Sequence, residues 1–258
     1  MTRRRFYALP AAFAPGEKSV TLSAEETRHA RDVLRLQPGD EVYLFDGAGK
    51  EFRCAVRGFD RGRAVLDLRE EVEPARPESP LHLTLAIALL KGEKFDLVVQ
   101  KATELGVQRI VPLDTERADV RLRNSEDSHK RVTRCRRIAL EAAKQSGRAY
   151  VPEVTVPLTF EFLLAMSANE EEKSPQRVRL MFSERGGQSL SETSKNFVDQ
   201  PTKIIAVVGP EGGWTDEEIE TARAANWHIV TLGGRTLRAE TAAIAIIALL
   251  QHNFGDLG

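Results

Sequence analysis

Cysteine is almost absent from this chain: 258 residues contain two, Cys54 and Cys135, far apart and in no paired spacing. A disulfide framework and a cysteine metal site are therefore not expected, and a reducing cytoplasm is the expected setting. Long apolar runs are missing too. The longest, Ala242–Leu250, falls well short of the ~20 residues that cross a bilayer. The basic start "MTRRRFYALP" is not followed by the apolar stretch of a signal peptide. No membrane partner is expected. Charge of one sign is not in excess: the formal net charge is −1 and 41% of residues are hydrophobic, the balance of an ordinary soluble globular protein. The dinucleotide fingerprint G-x-G-x-x-G, the Walker Lys–Ser/Thr pair, a nucleophile elbow and clustered metal ligands are all lacking. The five histidines, His29, His82, His129, His228 and His252, are scattered and read as surface or packing residues.

Basic residues are present but unevenly spread. Between Arg117 and Arg148 ten Lys/Arg accompany four Asp/Glu, and Arg3, Arg4 and Arg5 cluster near the start. A basic segment in a neutral protein is the footprint of a polyanion site, although a solvated helix face explains such a stripe equally well. Val132, Cys135, Ala139 and Ala142 trace an apolar face on the basic helix, so basic residues opposite that face need only be solvated.

The chain changes character along its length. Residues 1–72 read as short strands and turns, a small antiparallel barrel or meander, preceded by a helix over Ala24–Leu34 with a Ser23/Glu26 capping box. "EVEPARPESP" (Glu71–Pro80) carries three prolines and reads as a linker, placed at 73–80. From Leu81 to the end, strands alternate with helices. "LHLTLAIALL" (Leu81–Leu90) is nearly all apolar, as a strand buried on both faces must be. Helices are expected over Glu93–Leu105, Ser128–Ser146, Ser189–Phe197, Asp216–Ala225 and Ala239–His252. Strands are expected at Arg109–Leu113, Val178–Phe182, Lys203–Val208 and His228–Leu232, giving a mostly parallel sheet covered on both faces. "ANEEEKSPQ" (Ala168–Gln176) reads as a polar, mobile loop.

Chemistry concentrates in "IIAVVGPEGGWTDEEI" (Ile204–Ile219), where a strand runs through glycines into a helix. Thr215 and Glu218 form a capping box, with Asp216 and Glu217 in the same first turn and Glu211 inside the glycine turn. Those carboxylates compete for the N–H groups and positive dipole end that a phosphate would use. A phosphate-free, cationic ligand fits better, and S-adenosylmethionine qualifies. A second glycine turn, Gly233-Gly234, is followed by Arg235, Arg238 and a helix apolar nearly all round, so the two turns suggest one composite pocket.

"GPEGGW" (Gly209–Trp214), "LGGRTLRAETA" (Leu232–Ala242) and the terminal "GDL" (Gly255–Leu257) resemble the SPOUT superfamily of RNA methyltransferases. "KGEKFDLVVQKATELGV" (Lys91–Val107), "EAAKQSGR" (Glu141–Arg148) and "RRRFY" (Arg3–Tyr7) look like its RsmE-type branch, which methylates N3 of a uridine in 16S rRNA. The resemblance implies a PUA-like β-barrel RNA-binding domain over 1–72 and an α/β SPOUT domain over 81–258 with a deep C-terminal trefoil knot. It also implies a homodimer, S-adenosylmethionine in the knot, and the small ribosomal subunit as partner, with no metal and no DNA.

Carried onto this sequence, the cofactor would meet Met181, Phe182, Val208, Gly209, Pro210, Glu211, Gly212, Gly213, Leu232, Gly233, Leu237, Arg238, Thr241 and Ala242. Methyl transfer to nitrogen is a direct displacement and needs no covalent intermediate. Removal of the uracil N3 proton calls for an acceptor and a charge stabiliser, and Glu211 and Arg238 are the catalytic candidates. For Arg238, an ion pair with Glu240 or Glu211 is the structural alternative. RNA is expected at Arg3, Arg4, Arg5, Arg121, Arg123, Arg134, Arg137 and Arg148. Two other readings remain at this point: a SPOUT methyltransferase acting on tRNA or a 2′-hydroxyl, and a non-catalytic RNA-binding or ribosome-assembly factor.

Overall fold

A computed structural model of the chain describes residues 3–13, 16–120, 124–169, 177–197 and 199–258. Most of the expected polar loop (170–176) and the candidates Arg121 and Arg123 lie outside the described residues. The chain divides into two compact units: 1–78 with 140–151, and 79–139 with 152–258.

In the first unit, β1 (Arg5–Tyr7), β2 (Ser19–Thr21), β3 (Glu41–Phe45), β4 (Glu51–Asp60) and β5 (Arg63–Val72) form one sheet in the order β1-β3-β4-β5-β2. The β3-β4-β5 meander is antiparallel, whereas β1 runs parallel to β3. Period-two alternation places Val42, Leu44, Cys54, Val56, Ala64 and Leu66 in one core. Ser23 caps α1 (Ala24–Arg28) by accepting from the Glu26 N–H at 3.1 Å, but only half of the expected capping box forms. The Glu26 carboxylate turns instead to Lys144, 2.8 Å away, in a pair with side chains 6% and 14% exposed. From His29 to Val33 the helix loosens into a π-helix, so the expected single α-helix is replaced by two short pieces. The proline-rich segment is anchored: the Ala75 N–H donates to Glu51, and Glu78 takes the Arg148 guanidinium.

The second unit is built on a parallel sheet. Its strands are β6 (His82–Ala88), β7 (Arg109–Asp114), β8 (Glu153–Val154), β9 (Leu158–Thr159), β10 (Arg177–Phe182), β11 (Gln188–Ser189), β12 (Lys203–Val208) and β13 (His228–Thr231). Their order is β11-β13-β10-β12-β6-β7-β8, with β9 also beside β7, and every pairing is parallel. The helices are α2 (Lys94–Glu104), α3 (Ser125–Ser146, whose last turns belong to the first unit), α4 (Phe160–Asn169), α5 (Leu190–Ser194), α6 (Asp216–Ala224) and α7 (Ala239–Phe254). α5 is shorter than the expected Ser189–Phe197, and it starts in a reciprocal Ser189/Glu192 capping box.

Both faces of the sheet are covered, which is why the strands carry apolar residues at consecutive positions. Ala86, Val111, Met181, Val207 and Ile229 pack with Phe160 and Leu163 of α4 and with Ile219 and Ala222 of α6. α7 packs against α2 and β12. Val132, Cys135, Ala139 and Ala142 are buried along α3, as the apolar stripe predicts. Both cysteines are free and buried, and burial pushes the Cys54 thiol up to about 12 and that of Cys135 to about 11, so neither is a reactive thiolate.

One buried amide pins α7. Gln251 is 0% exposed; its Nε2 donates to the Leu105 carbonyl at 2.9 Å, and its Oε1 accepts from the Ser79 hydroxyl at 2.7 Å. Gln251→Leu conserves volume but leaves the Leu105 carbonyl without its donor and the Ser79 hydroxyl without an acceptor, though Ser79 Oγ still accepts from the Leu81 N–H. Stability should fall by roughly 1–3 kcal/mol for each stranded group, read as a lowered denaturation midpoint. An unchanged midpoint would show that the amide does not anchor the helix.

Candidate active site

Three loops leave the C-terminal ends of neighbouring strands β13, β10 and β12, and together with the start of α7 they enclose a cleft of about 580 Å³. The C-terminal edge of a parallel sheet is where α/β proteins place ligands, and this volume suits a nucleoside-sized molecule.

The glycine turn answers first to packing. Trp214, 1% exposed, lies under the turn against Phe160, and its indole N–H donates to the Phe182 carbonyl at 2.9 Å. A Cβ on Gly209 would stand 2.9 Å from that indole. The Gly213 N–H closes the turn onto the Pro210 carbonyl at 3.0 Å, and Gly213 has φ +68°, a conformation costing other residues about 1–2 kcal/mol. Two arginines secure the end of the turn: Arg117 and Arg185 donate to the Trp214 carbonyl at 3.1 and 2.9 Å.

The helix start beside it is closed to anions. Thr215 and Glu218 form the full capping box, with the Thr215 N–H donating to Glu218 at 2.8 Å and the Glu218 N–H to the Thr215 hydroxyl at 3.0 Å. The second Glu218 oxygen accepts from the Glu116 N–H at 3.2 Å. Asp216 and Glu217 fill the same first turn.

Of the fourteen residues expected at a cofactor, twelve line the cleft; Met181 and Thr241 do not. Met181 points into the core with Val207 and Trp214, because neighbouring positions on a strand face opposite sides, and Thr241 lies on an exposed face of α7. Ser183 and Glu184 in the loop after β10 and Arg235 beside the second glycine turn line the cleft as well, as do Trp214, Thr231 and Ile246, which are not among the expected cofactor contacts. Arg238 and Glu211 both line it, but Arg238 pairs with neither Glu211 nor Glu240 among the described residues. Lys94, at the first turn of α2, takes both carboxylates: its Nζ is 2.9 Å from Glu211 and 3.7 Å from Glu240. The hydrogen bond that Lys94 donates to Glu211 raises the Lys94 pKa above its ordinary value. Lys94 lies far from both carboxylates in sequence, so no local pattern reveals the clasp.

The basic candidates separate by burial. Arg5, with a side chain 7% exposed, is bonded to Glu51, and Arg148, 6% exposed, is forked onto Glu78; both guanidiniums are used inside the first unit rather than presented to phosphate. Arg3 pairs with Glu51 and lies over the Tyr43 ring. Arg4 is exposed beside Asp40, Arg134 is exposed and bonded to Asp96, and Arg137 is exposed.

A cleft of this construction defines an α/β enzyme with a small-molecule site on glycine loops. Residues 77–251 match the model of the RNA methyltransferase domain, and residues 22–68 that of the RNA methyltransferase PUA domain. The chain belongs to this RNA methyltransferase family. It is 38% identical over 237 residues to the ribosomal RNA small subunit methyltransferase E of Synechocystis, covering 92% of this chain and 73% of the relative. It is 32% identical over 258 residues to the protein of that name from Rickettsia conorii, covering 97% and 96%. A crystal structure of the Neisseria gonorrhoeae ribosomal RNA small subunit methyltransferase E, bound to S-adenosyl methionine, aligns over 100% of both chains with a TM-score of 0.83 and 34% identity.

Gly209→Ala tests the packing of the turn. The added methyl displaces the Trp214 indole from the Phe182 carbonyl, at a cost of roughly 1–3 kcal/mol. In a Trp227→Phe background the remaining tryptophan emission should shift to the red. Emission and melting temperature both unchanged would mean that the turn has room for a side chain.

Proposed function

We propose that this chain transfers the methyl group of S-adenosylmethionine to N3 of a uridine in 16S rRNA of the small ribosomal subunit, in the cytoplasm and as a homodimer. The observation that carries the reading is the cleft itself: glycine turns at the ends of β12 and β13 and the loop after β10, beside a helix start whose own carboxylates disfavour phosphate. Kinship with ribosomal RNA small subunit methyltransferases supplies the substrate class. Among the described residues no helix is long and apolar enough to cross a membrane.

The proposal includes the architecture. Residues 1–72 act as a PUA-like barrel for RNA, 73–80 as a linker and 81–258 as the SPOUT catalytic domain with a trefoil knot. Strand order supports the knot: β13 lies outside β10, while the helix that follows it, α7, packs on β12 and α2. Leu97 of α2 and Leu249 of α7, both 40% exposed on packed helices, support a self-complementary face for the dimer.

The cofactor supplies an electrophilic methyl group on a sulfonium and no phosphate. Gly209, Gly212, Gly213 and Gly233 let the backbone approach its adenine and ribose, while Leu232 and Leu237 line the adenine slot. Glu211, steadied by Lys94, accepts the uracil N3 proton, and Arg238 stabilises the negative charge that develops on the base. Arg3, Arg4, Arg134 and Arg137 supply phosphate contacts, with Arg121 and Arg123 included from sequence alone.

The test is transfer of labelled methyl from S-adenosylmethionine to small ribosomal subunits from cells lacking this protein, with the product nucleoside identified by mass spectrometry. The expected product is 3-methyluridine. Arg238→Ala and Glu211→Gln should each lower kcat by roughly 10²–10⁴-fold while cofactor affinity is largely kept. A ribose-methylated or tRNA product would discard the uridine-N3 assignment, and absence of both transfer and cofactor binding would leave an RNA-binding factor.

A further inference from the structure

The sheet of the second unit has a second polar end. At the N-terminal ends of its strands, Arg177 of β10, Lys203 of β12 and His82 of β6 stand side by side in register. The next rung on that face is Arg179, Ile205, Thr84 and Arg109. Register partners share a face, with strands about 4.8 Å apart, so four cationic side chains and an imidazole belong to one side of four adjacent strands. One rung further the same face is apolar core, with Met181, Val207, Ala86 and Val111.

His82, Thr84, Arg109, Arg177 and Lys203 line a cavity of about 90 Å³, together with Ser167 of α4. This is room for a small oxyanion and not for a nucleobase. Glu153 lies 3.2 Å from Arg109, and Arg177 and Arg179 are engaged in contacts of their own. Lys203 forms no ion pair among the described residues. Burial, then the charges of Lys203, Arg177 and Arg109, hold the His82 pKa below its ordinary value, so the imidazole stands in a positive field. Apolar strand residues would serve a purely structural rung, as they do one rung further in. Nor does the cleft account for this end: at about 3.3 Å per residue, Lys203 and the cleft end of β12 are roughly 16 Å apart.

We propose that this cavity is a phosphate-class oxyanion site in which Lys203, Arg109 and His82 supply the donors, separate from the cleft. Two sources offer that chemistry: free inorganic phosphate and a backbone phosphate of RNA. The RNA source rests on the proposed function; the site itself does not.

The full-length chain, labelled with ¹⁵N-histidine, is titrated with inorganic phosphate against chloride at constant ionic strength, with the His82 resonance assigned through His82→Asn. The expected result is a saturable shift of His82 and a raised imidazole pKa, because a bound anion favours the protonated ring. Lys203→Gln combined with Arg109→Gln should abolish the saturation and leave S-adenosylmethionine binding intact. In a second arm, binding of small-subunit RNA by the double variant should weaken about 5–20-fold, with the salt dependence reduced by about one to two phosphate contacts. A phosphate response without an RNA effect identifies the free ion as the source, and an RNA effect identifies the backbone. If neither appears, the proposal is overturned. Should the variant lose cofactor binding through misfolding, the wild-type His82 titration alone decides, and no saturable shift there counts against the site.

Discussion

The Trp214 indole, wedged beneath Gly209 and bonded to the Phe182 carbonyl, ties the loop after β12 to the end of β10. These two strands are neighbours at the sheet's centre, so the bond fixes two of the three walls of the cleft relative to each other. The third wall, Leu232–Arg238, is held from the far end of the helix it feeds, where the Gln251 amide is satisfied by Ser79 and Leu105. The turn after β12 and the end of α7 are held by buried polar groups that have partners, and a buried partner is costly to lose. The glycines therefore serve geometry before chemistry, since backbone can approach a ligand only on a turn that is already held open.

Charge around the cleft is distributed to the same end. At the start of α6 the Glu218 carboxylate and the Thr215 hydroxyl each satisfy a backbone N–H, and Asp216 and Glu217 add negative charge that disfavours phosphate. Glu211 and Glu240 would repel each other across the rim, and the single Lys94 ammonium between them removes that repulsion while joining α2, the glycine turn and α7. Arg238 is thereby left unpaired toward the cleft among the described residues, where a cation can act on bound substrate. A direct displacement asks for this kind of pre-set electrostatics more than for a nucleophile.

Burial separates basic residues that composition treats alike. Arg5 and Arg148 sit within the same runs as Arg4 and Arg137, yet the first two neutralise the buried carboxylate of Glu51 and the part-buried one of Glu78, while the other two are exposed. An unpaired carboxylate in the interior is expensive, so an arginine that meets one there is committed to the fold. The row of cations at the N-terminal edge of the sheet shows the converse, charges brought together by strand register rather than by sequence neighbourhood.

Local pattern was enough to place the long elements. Hydrophobic periodicity and capping residues marked β6, α2, β12, α6 and α7 because burial on two faces and N-cap chemistry act within a few residues. The glycine strings, and with them most of the cleft lining, were legible for the same reason. Met181 packs in the core and does not line the cleft, because a strand alternates faces and the sequence alone does not say which face turns to the cleft. Half of the Ser23 capping box was lost because Lys144 outbid a local backbone N–H, and the Lys94 clasp, the Trp214 wedge and the Gln251 anchor were invisible because each joins residues from different elements. What the sequence by itself determined is what depends on near neighbours: element type, apolar faces and turn chemistry. Which charges meet, which strand edges adjoin and which side chains line the cleft were decided by tertiary structure, since parallel strand order and long-range ion pairs follow only from how the chain closes on itself.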